Sequence, residues 1–170
     1  MTEHLWPFLR LRAATDEALV EAYRRVYIET YVRNRDGKAI ELFDWMGNRV
    51  LFHPRTFDHA FSESTDYRFG GGSHDVPFSK KRARCILWIK EVLSASKGYI
   101  ERRHQYRKDS RGRSKKRRVL IVVEERYVVV LEEREKQKVL EFLTAFPADE
   151  SYLEKIQQES GLMEIKKPQS

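Results

Sequence analysis

The sequence has little cysteine and no long apolar run, and each absence excludes a class of protein. Cys85 is the single cysteine of 170 residues, so the chain forms no internal disulfide and offers no thiol pair at zinc-ligand spacing. No stretch approaches the ~20 apolar residues that span a bilayer, and the first residues lack the basic start and apolar core of a signal peptide. We therefore expect a cytoplasmic protein without membrane contact.

The sequence also lacks the patterns of a metal or cofactor enzyme. Its one Glu-x-Lys of the kind that metal-dependent nucleases use, Glu164-Ile165-Lys166, lies in a polar tail. Three consecutive glycines, Gly70-Gly71-Gly72, do not stand in the strand-and-helix pattern of a phosphate-binding loop. We expect no cofactor and no metal, and we interpret the glycine segment as a mobile loop.

Positive charge, in contrast, is abundant and concentrated. The segment from Arg102 to Arg118 holds ten Lys or Arg residues and one acid, Asp109, whereas the chain from Val119 onward holds seven bases and eleven acids. This asymmetry predicts a polyanionic partner, and nucleic acid is the commonest one; a solvated basic loop without a ligand would have the same composition. The residues that we assign to phosphate contacts are Arg107, Lys108, Arg111, Arg113, Lys115, Lys116, Arg117 and Arg118, together with Lys80, Lys81 and Arg84.

The last three of these cations belong to a predicted helix that Ser79 caps and that continues to about Ser94. Cations in a first turn oppose the helix dipole, which indicates a purpose other than helix stability. A longer helix begins after Thr15 and ends near Arg33, and a final one runs from about Asp149 to Gln158. A short helix over residues 56–61 places His59 between two phenylalanines.

Residues rich in β-branched side chains predict an antiparallel sheet at the centre of the fold. Short polar breaks separate its strands, so neighbours in sequence should pair. An earlier hairpin either joins this sheet or forms a small one beside it. The predicted fold class is α+β, with helices packed on the sheet. The predicted strands are Ala39–Trp45, Arg49–His53, Tyr99–Tyr106, Val119–Glu124, Tyr127–Glu133 and Val139–Phe146.

Several of these residues together suit RNA cleavage without a metal. The reaction needs a base for the 2′-hydroxyl, an acid for the leaving 5′ oxygen, and cations around the phosphorane. Histidine transfers protons near neutral pH, while arginine and a hydroxyl hold phosphate without titrating. Two structural alternatives stay open: Thr144 is common in strands for packing reasons, and His59 suits a buried position between Phe57 and Phe61. The candidate catalytic residues are His59, Arg102, Arg103, His104, Tyr106 and Thr144.

From Arg49 to Pro147 the order of these features resembles the phage-associated ribonucleases of the Barnase, EndoU, Colicin and RelE-like (BECR) fold. The features are the strand Val50-Leu51-Phe52, the FDHAF histidine His59, a helix, a basic strand, and Val-rich strands that end in Thr144-Ala145-Phe146-Pro147. The resemblance implies a curved antiparallel sheet that bears an RNA-cleaving site, often with a toxin role and an inhibitor protein, or antitoxin, as partner. It also implies that His59, a basic-strand arginine and Thr144 share the site.

One departure from that pattern affects the proton donor. Ala60 and Phe61 follow His59, where members of the family often carry a second motif residue, so His104 or Tyr106 could fill that place. We expect one compact domain overall. Its parts are residues 1–48 with the first helix and hairpin strand, a nuclease core over residues 49–160, and a frayed tail over residues 161–170.

We predict a metal-independent endoribonuclease that acts on single-stranded or tRNA-like RNA. Two other functions fit the same composition: a non-catalytic RNA- or DNA-binding module, and a phage structural accessory protein whose basic loop contacts packaged nucleic acid. The feature that separates an enzyme from a binding module is the convergence of His59, an arginine and Thr144 in one cleft.

Overall fold

The computed structural model describes residues 3–63, 77–134 and 138–168. The glycine segment Gly70-Gly71-Gly72, predicted as a mobile loop, lies outside the described residues. The described chain is α+β, and it forms five α-helices and seven strands. The helices are α1 (Asp16–Tyr27), α2 (Thr56–Ala60), α3 (Lys80–Ala83), α4 (Trp88–Leu93) and α5 (Glu150–Gln158); the strands are β1 (Leu42–Phe43), β2 (Arg49–Leu51), β3 (Ile100–Lys108), β4 (Ser114–Val122), β5 (Tyr127–Arg134), β6 (Val139–Pro147) and β7 (Gly161–Lys166).

Helix α1 begins where the sequence predicts it. The Thr15 hydroxyl accepts a hydrogen bond from Ala18 N at 3.1 Å, and a π-helical turn, Ile28–Val32, continues the helix to Arg33. The helix predicted from Ser79 to Ser94 is instead broken into α3 and α4. Backbone carbonyls between them accept hydrogen bonds from other segments, at Arg84 from Leu9 N and at Ile86 from the Tyr31 hydroxyl. These carbonyls are therefore diverted from the helical ladder.

The strands form one seven-stranded sheet in the order β1-β2-β6-β5-β4-β3-β7. The predicted pairing of sequence neighbours is confirmed for β3 through β6, which pair antiparallel with one another. The predicted all-antiparallel sheet is wrong at one position, because β2 pairs with β6 in parallel. The predicted first hairpin exists and joins this sheet, with strands shorter than the sequence suggested.

The tail from Gly161, predicted to be frayed, is ordered as an edge strand. It forms β7, which pairs antiparallel with β3 over Ile100 to His104. Its Glu164 carboxylate accepts hydrogen bonds from Arg102 Nε and from Trp45 Nε1, both at 3.0 Å. Trp45 lies in the loop between β1 and β2, so the sheet curls until its two edges meet. We call this three-residue contact the edge link.

The two faces of the sheet bury separate apolar clusters. The larger cluster joins one face, including Ile100, Leu120 and Phe142, to helices α1, α2 and α4. The smaller cluster on the other face includes Val119, Val130 and Phe146, and Ile156 of α5 packs on it. Among the described residues, helix α5 packs on part of this second face, and a groove lies over the remaining surface.

Candidate functional site

The candidate site begins where β6 loses its strand neighbour. Strand β2 ends at Leu51, opposite Glu141, and helices α2 and α3 lie against the rest of β6. Phe57 and Phe61 of the α2 segment are fully buried, which fixes that helix on the sheet. Ser79 N donates to Phe61 O at 2.7 Å, so the start of α3 is held beside the end of α2.

His59 lies on the solvent side of α2. The i, i+4 spacing of Phe57 and Phe61 directs both rings into the core, and His59 is exposed. The expectation that the two rings would enclose it is therefore wrong. Partial desolvation, followed by the positive charges of Arg82 and Arg117, lowers the pKa of His59 below its ordinary value of 6.5. The shift favours the neutral imidazole, which is able to accept a proton.

Arg82 of α3 is held in place from three directions. Its Nη1 donates to Ala60 O at 3.2 Å and to Thr144 Oγ1 at 3.3 Å. Its guanidinium carbon lies 4.9 Å from the centroid of the Phe146 ring, within cation–π distance. Ala60 is the neighbour of His59, so the backbone of α2 couples the imidazole to this arginine. Arg82 and Thr144 are therefore in direct contact, and His59, one residue before Ala60, is near enough to feel the charge of Arg82. Of the three, Arg82 lines the groove on the second face of the sheet.

The Thr144 hydroxyl faces the protein rather than solvent. Its residue is 2% exposed, and the hydroxyl donates to Ala60 O at 3.4 Å while it accepts from Arg82. Thr144 is therefore placed to position Arg82, and direct contact with a phosphate is closed to it.

A groove of about 870 Å³ runs from Arg82 along the second face of the sheet to α5. Its floor is apolar and its rim is mostly cationic, a combination that suits a nucleotide chain with charged phosphates. Its apolar lining includes Val119, Val128, Val130 and Phe146; its cations are Lys81, Arg82, Arg107, Arg117 and Lys155, and its acids are Glu63, Asp149 and Glu159.

Arg117 provides a second guanidinium at this end of the groove. Its Nε lies 3.8 Å from Glu132 Oε2, beyond hydrogen-bond length. Among the described residues this Nε has no hydrogen-bond partner. Both Arg82 and Arg117 depress the pKa of His59, so the two positive charges lie close enough to act on the same imidazole.

The two arginines that the sequence predicted for the site lie elsewhere. Arg102 faces the helix-bearing side of the sheet and binds Glu164 in the edge link. Arg103 faces the groove side, but Glu101 Oε1, Ser160 Oγ and Gln157 O accept its hydrogen bonds at 2.6 to 2.8 Å. Both guanidinium groups are committed to the fold, and Arg82 takes the place that was predicted for them.

His104 and Tyr106 share the face of Arg102, because alternate residues of a strand point the same way. Their rings are in edge contact at 5.8 Å, and the ring of His104 fills the space beside the Gly161 backbone. They lie on the opposite face of the sheet from the groove. The predicted use of either residue as the proton partner of His59 is therefore wrong.

The predicted phosphate-contact residues fall into two sets. In the sheet, Arg117 and Arg118 lie beside the carboxylates of Glu132 and Glu133. Beyond it, residues 105–108 and 114–116 pair only with each other within the described chain. We call residues 105–116 the basic ribbon. It carries Arg107, Lys108, Arg111, Arg113, Lys115 and Lys116.

The cations at the start of α3 are likewise divided. Lys81 lines the groove beside Arg82, while Lys80 lies 4.0 Å from Asp16. The guanidinium of Arg84 stacks 4.2 Å from the centroid of Phe8, away from the groove. Lys81 is thus the one of these three predicted contacts that reaches the site.

In the described residues, 3–63, 77–134 and 138–168, no three His, Cys, Asp or Glu side chains come together as metal ligands do. No helix of the same ranges combines the length and hydrophobicity that crossing a bilayer requires.

No family model, curated protein or solved structure matches this chain. The resemblance to the BECR ribonucleases therefore stays a prediction, and the residues of the groove supply the argument for function.

Arg82 belongs to the cationic first turn that the sequence relates to phosphate contacts, but it is not among the residues predicted for the catalytic site. The available signal was its position three residues after the capping Ser79. Ser79 Oγ accepts from Arg82 N at 3.1 Å, which sets the direction of the Arg82 side chain. Only the packing of α3 on β6 shows that this direction leads to Thr144.

Proposed function

We propose that the protein is a metal-independent endoribonuclease whose reaction takes place at the Arg82 end of the groove, with His59 on the adjoining helix α2. The observation that supports it is Arg82, which lines the groove, contacts Thr144 and the backbone next to His59, and lowers the pKa of the imidazole. A neutral imidazole beside two arginines combines a proton acceptor with phosphate ligands. These are the groups that 2′-hydroxyl attack on a phosphodiester requires.

In the proposed reaction His59 removes the proton of the 2′-hydroxyl. The 2′ oxygen attacks phosphorus, the new P–O2′ bond forms, and the P–O5′ bond breaks. The leaving 5′ oxygen takes a proton from water, which the open groove admits. The products are a 2′,3′-cyclic phosphate and a 5′-hydroxyl end. The lowered pKa of His59 keeps the imidazole in its proton-accepting form at neutral pH.

Arg82 and Arg117 hold the phosphate and stabilise the charge that develops on the phosphorane. Arginine stays protonated throughout the reaction and offers paired donors that match phosphate oxygens. Thr144 acts through Arg82 as a positioning residue. The apolar floor of Val130 and Phe146 supports the bases or sugars on either side.

The direct test is incubation of the purified protein with mixed-sequence single-stranded RNA in EDTA. We expect fragments with 2′,3′-cyclic phosphate ends, identified by mass spectrometry, and loss of these fragments in His59→Ala. His4→Gln is the matched control, because His4 contacts Glu125 away from the groove. Activity that EDTA abolishes and magnesium restores would refute the proposed mechanism.

The basic ribbon favours a second candidate, RNA binding without cleavage. Its cations would hold a nucleic acid even if the groove did no chemistry. The same incubation separates the two functions, because a binding module shifts the mobility of the RNA and leaves its length unchanged.

A further inference from the structure

The basic ribbon has a fixed shape and projects beyond the sheet. Strand β5 covers β4 only from Arg117 onward, and β7 covers β3 only as far as His104. Four residues of β3 therefore extend past their neighbours by about 13 Å, at the usual rise per strand residue. The result is an arm of two strands attached to one end of the groove.

The tip of the ribbon is held by its one acid. The Asp109 carboxylate accepts hydrogen bonds from Arg111 N at 2.8 Å and from Arg113 N at 2.9 Å. Asp109 N donates to Arg113 O at 2.8 Å, and Gly112 supplies the positive φ that the turn requires. The arm needs little further ordering when it binds a partner.

Cations occupy both faces of this arm. Arg107 and Lys115 are cross-strand partners on the groove face, while Lys108 and Lys116 lie on the other face. Like charges directly opposite each other destabilise a strand pair, so the fold gains nothing from this placement. Within the described chain no ion pair joins Lys108, Lys115 or Lys116 to an acid.

A ligand that satisfies both faces has phosphates on both sides of the arm. The two backbones that border a groove of a double helix meet this requirement, and they are recognised by shape and phosphate contacts in RNA. A single strand instead needs aromatic stacking surfaces. The ribbon offers one exposed aromatic, Tyr106 at 59%, and Lys116 Nζ already lies 6.0 Å from its ring centroid.

We propose that the basic ribbon binds a double-stranded RNA stem and so presents an adjacent unpaired segment to the groove. The groove and the arm are continuous, because Gln105 and Arg107 of the ribbon also line the groove. The inference rests on the proposed function for the identity of the nucleic acid as RNA. It goes beyond that function by naming the substrate as a stem with a flanking single strand.

The test compares two variants of equal charge. The ribbon variant is Lys108→Gln, Lys115→Gln and Lys116→Gln; the control variant is Lys38→Gln, Lys90→Gln and Lys167→Gln, three exposed residues outside ribbon and groove. Binding is measured by fluorescence anisotropy in a His59→Ala background. The probes are a labelled RNA stem-loop, an unpaired RNA of equal length, and a DNA duplex with the same number of phosphates.

We expect the ribbon variant to bind the stem-loop about tenfold or more weakly than the control variant, because each lost phosphate contact lowers the log–log salt slope by about 0.9. The parent should prefer the stem-loop to the unpaired RNA. Equal binding of those two RNAs, or equal stem-loop affinity of the two variants, would overturn the inference. Tighter binding of the DNA duplex than of the stem-loop would overturn its assignment to RNA.

A cleavage assay with His59 restored separates this inference from the proposed function. Relative to the control variant, the ribbon variant should lose several times more rate on the stem-loop than on a short unpaired oligonucleotide. Equal losses on the two substrates would overturn the inference. The ribbon variant could lose affinity for the stem-loop while the parent protein cleaves no RNA. That result would reject the proposed ribonuclease activity and support binding of the stem by the basic ribbon.

Discussion

The ten cations between Arg102 and Arg118 form one block in the sequence, and the fold divides them into an inner and an outer half. Most inner arginines within the sheet stand beside carboxylates, as Arg103 does beside Glu101 and Arg118 beside Glu133. Arg117 is the exception, because it lines the groove and its Nε lies 3.8 Å from Glu132. The outer cations of the basic ribbon are mostly without such partners in the described chain. Charge that is balanced locally serves the fold, and charge that is left unbalanced is available to a ligand.

The largest effect should come from a substitution at the end of the groove where the cleavage reaction is proposed. General acid–base transfer contributes about 10²- to 10⁴-fold, so His59→Ala should reduce kcat for RNA cleavage by that factor. RNA affinity should stay near the parental value, because the ribbon cations are intact. Single-turnover kinetics and anisotropy measure the two quantities, and an unchanged cleavage rate would remove His59 from the mechanism.

In the inner half, loss of a single arginine should lower the free energy of unfolding. Arg103 and Glu101 have side chains that are 11% and 14% exposed, so Arg103→Met leaves a partly buried carboxylate unpaired and should cost about 2–3 kcal/mol in the free energy of unfolding. Urea unfolding measures this change.

Arg107→Gln is the matched change in the outer half. Arg107 is 45% exposed and lies 3.7 Å from Glu159, so its loss should cost no more than about 0.5 kcal/mol. Equal destabilisation by the Arg103 and Arg107 variants would mean that the division into two halves has no energetic basis.

A smaller effect should follow from the hydroxyl that positions Arg82. Thr144→Val keeps the shape of the buried side chain but removes the acceptor for Arg82 Nη1, and we expect kcat to fall about tenfold with little change in Tm. Thr144→Ser, which retains the hydroxyl, should recover most of the rate. A purely structural Thr144 would instead change Tm and leave kcat alone.

The charge of Arg82 should also be visible in a pH profile. Arg82 helps to lower the pKa of His59, so Arg82→Gln should move that pKa upward, toward 6.5. As pH falls, His59 gains its proton at a higher pH in the variant, and the acid limb of kcat/KM moves upward with it. NMR titration of the His59 ring measures the pKa. Arg35→Gln on the far surface is the control, and an identical His59 titration in both variants would contradict the contact.

The smallest effect concerns the order of the ribbon tip. Asp109→Asn and Asp109→Ala remove the same charge, but asparagine can still accept hydrogen bonds from Arg111 N and Arg113 N. Stem-loop affinity should therefore be about threefold weaker in the alanine variant than in the asparagine variant. Equal affinities would show that the arm does not depend on a fixed tip.

Sequence reasoning worked where structure is local. The Val-rich strands β4 and β5 and their antiparallel pairing follow from β-branched residues and short turns. The pairing of β2 with β6 was missed, because a parallel contact between distant segments leaves no signal in either segment. Strand β7 was missed for a different reason: three apolar residues in a polar tail do not show that Glu164 anchors them.

For the candidate site, the sequence indicated the histidine and the threonine but not the arginine, whose position depends on contacts between distant segments. His59 and Thr144 stand out by residue type and position, but a row of arginines in a strand does not reveal which of them acids neutralise. Arg102 and Arg103 are removed from the site by Glu164 and Glu101, which come from the tail and from the same strand. Arg82 enters the site through the contact of α3 with β6.

The edge link contains a tryptophan that is separate from the two tryptophans of the core. Trp45, one of three tryptophans, senses the meeting of the sheet edges through its hydrogen bond to Glu164. The ring centroids of Trp6 and Trp88 lie 5.7 Å apart, in the core on the helix-bearing side of the sheet. Closure of the sheet and consolidation of that core therefore involve different fluorophores. Replacing either Trp45, or Trp6 and Trp88 together, with phenylalanine would allow tryptophan emission to follow one event at a time as the chain folds.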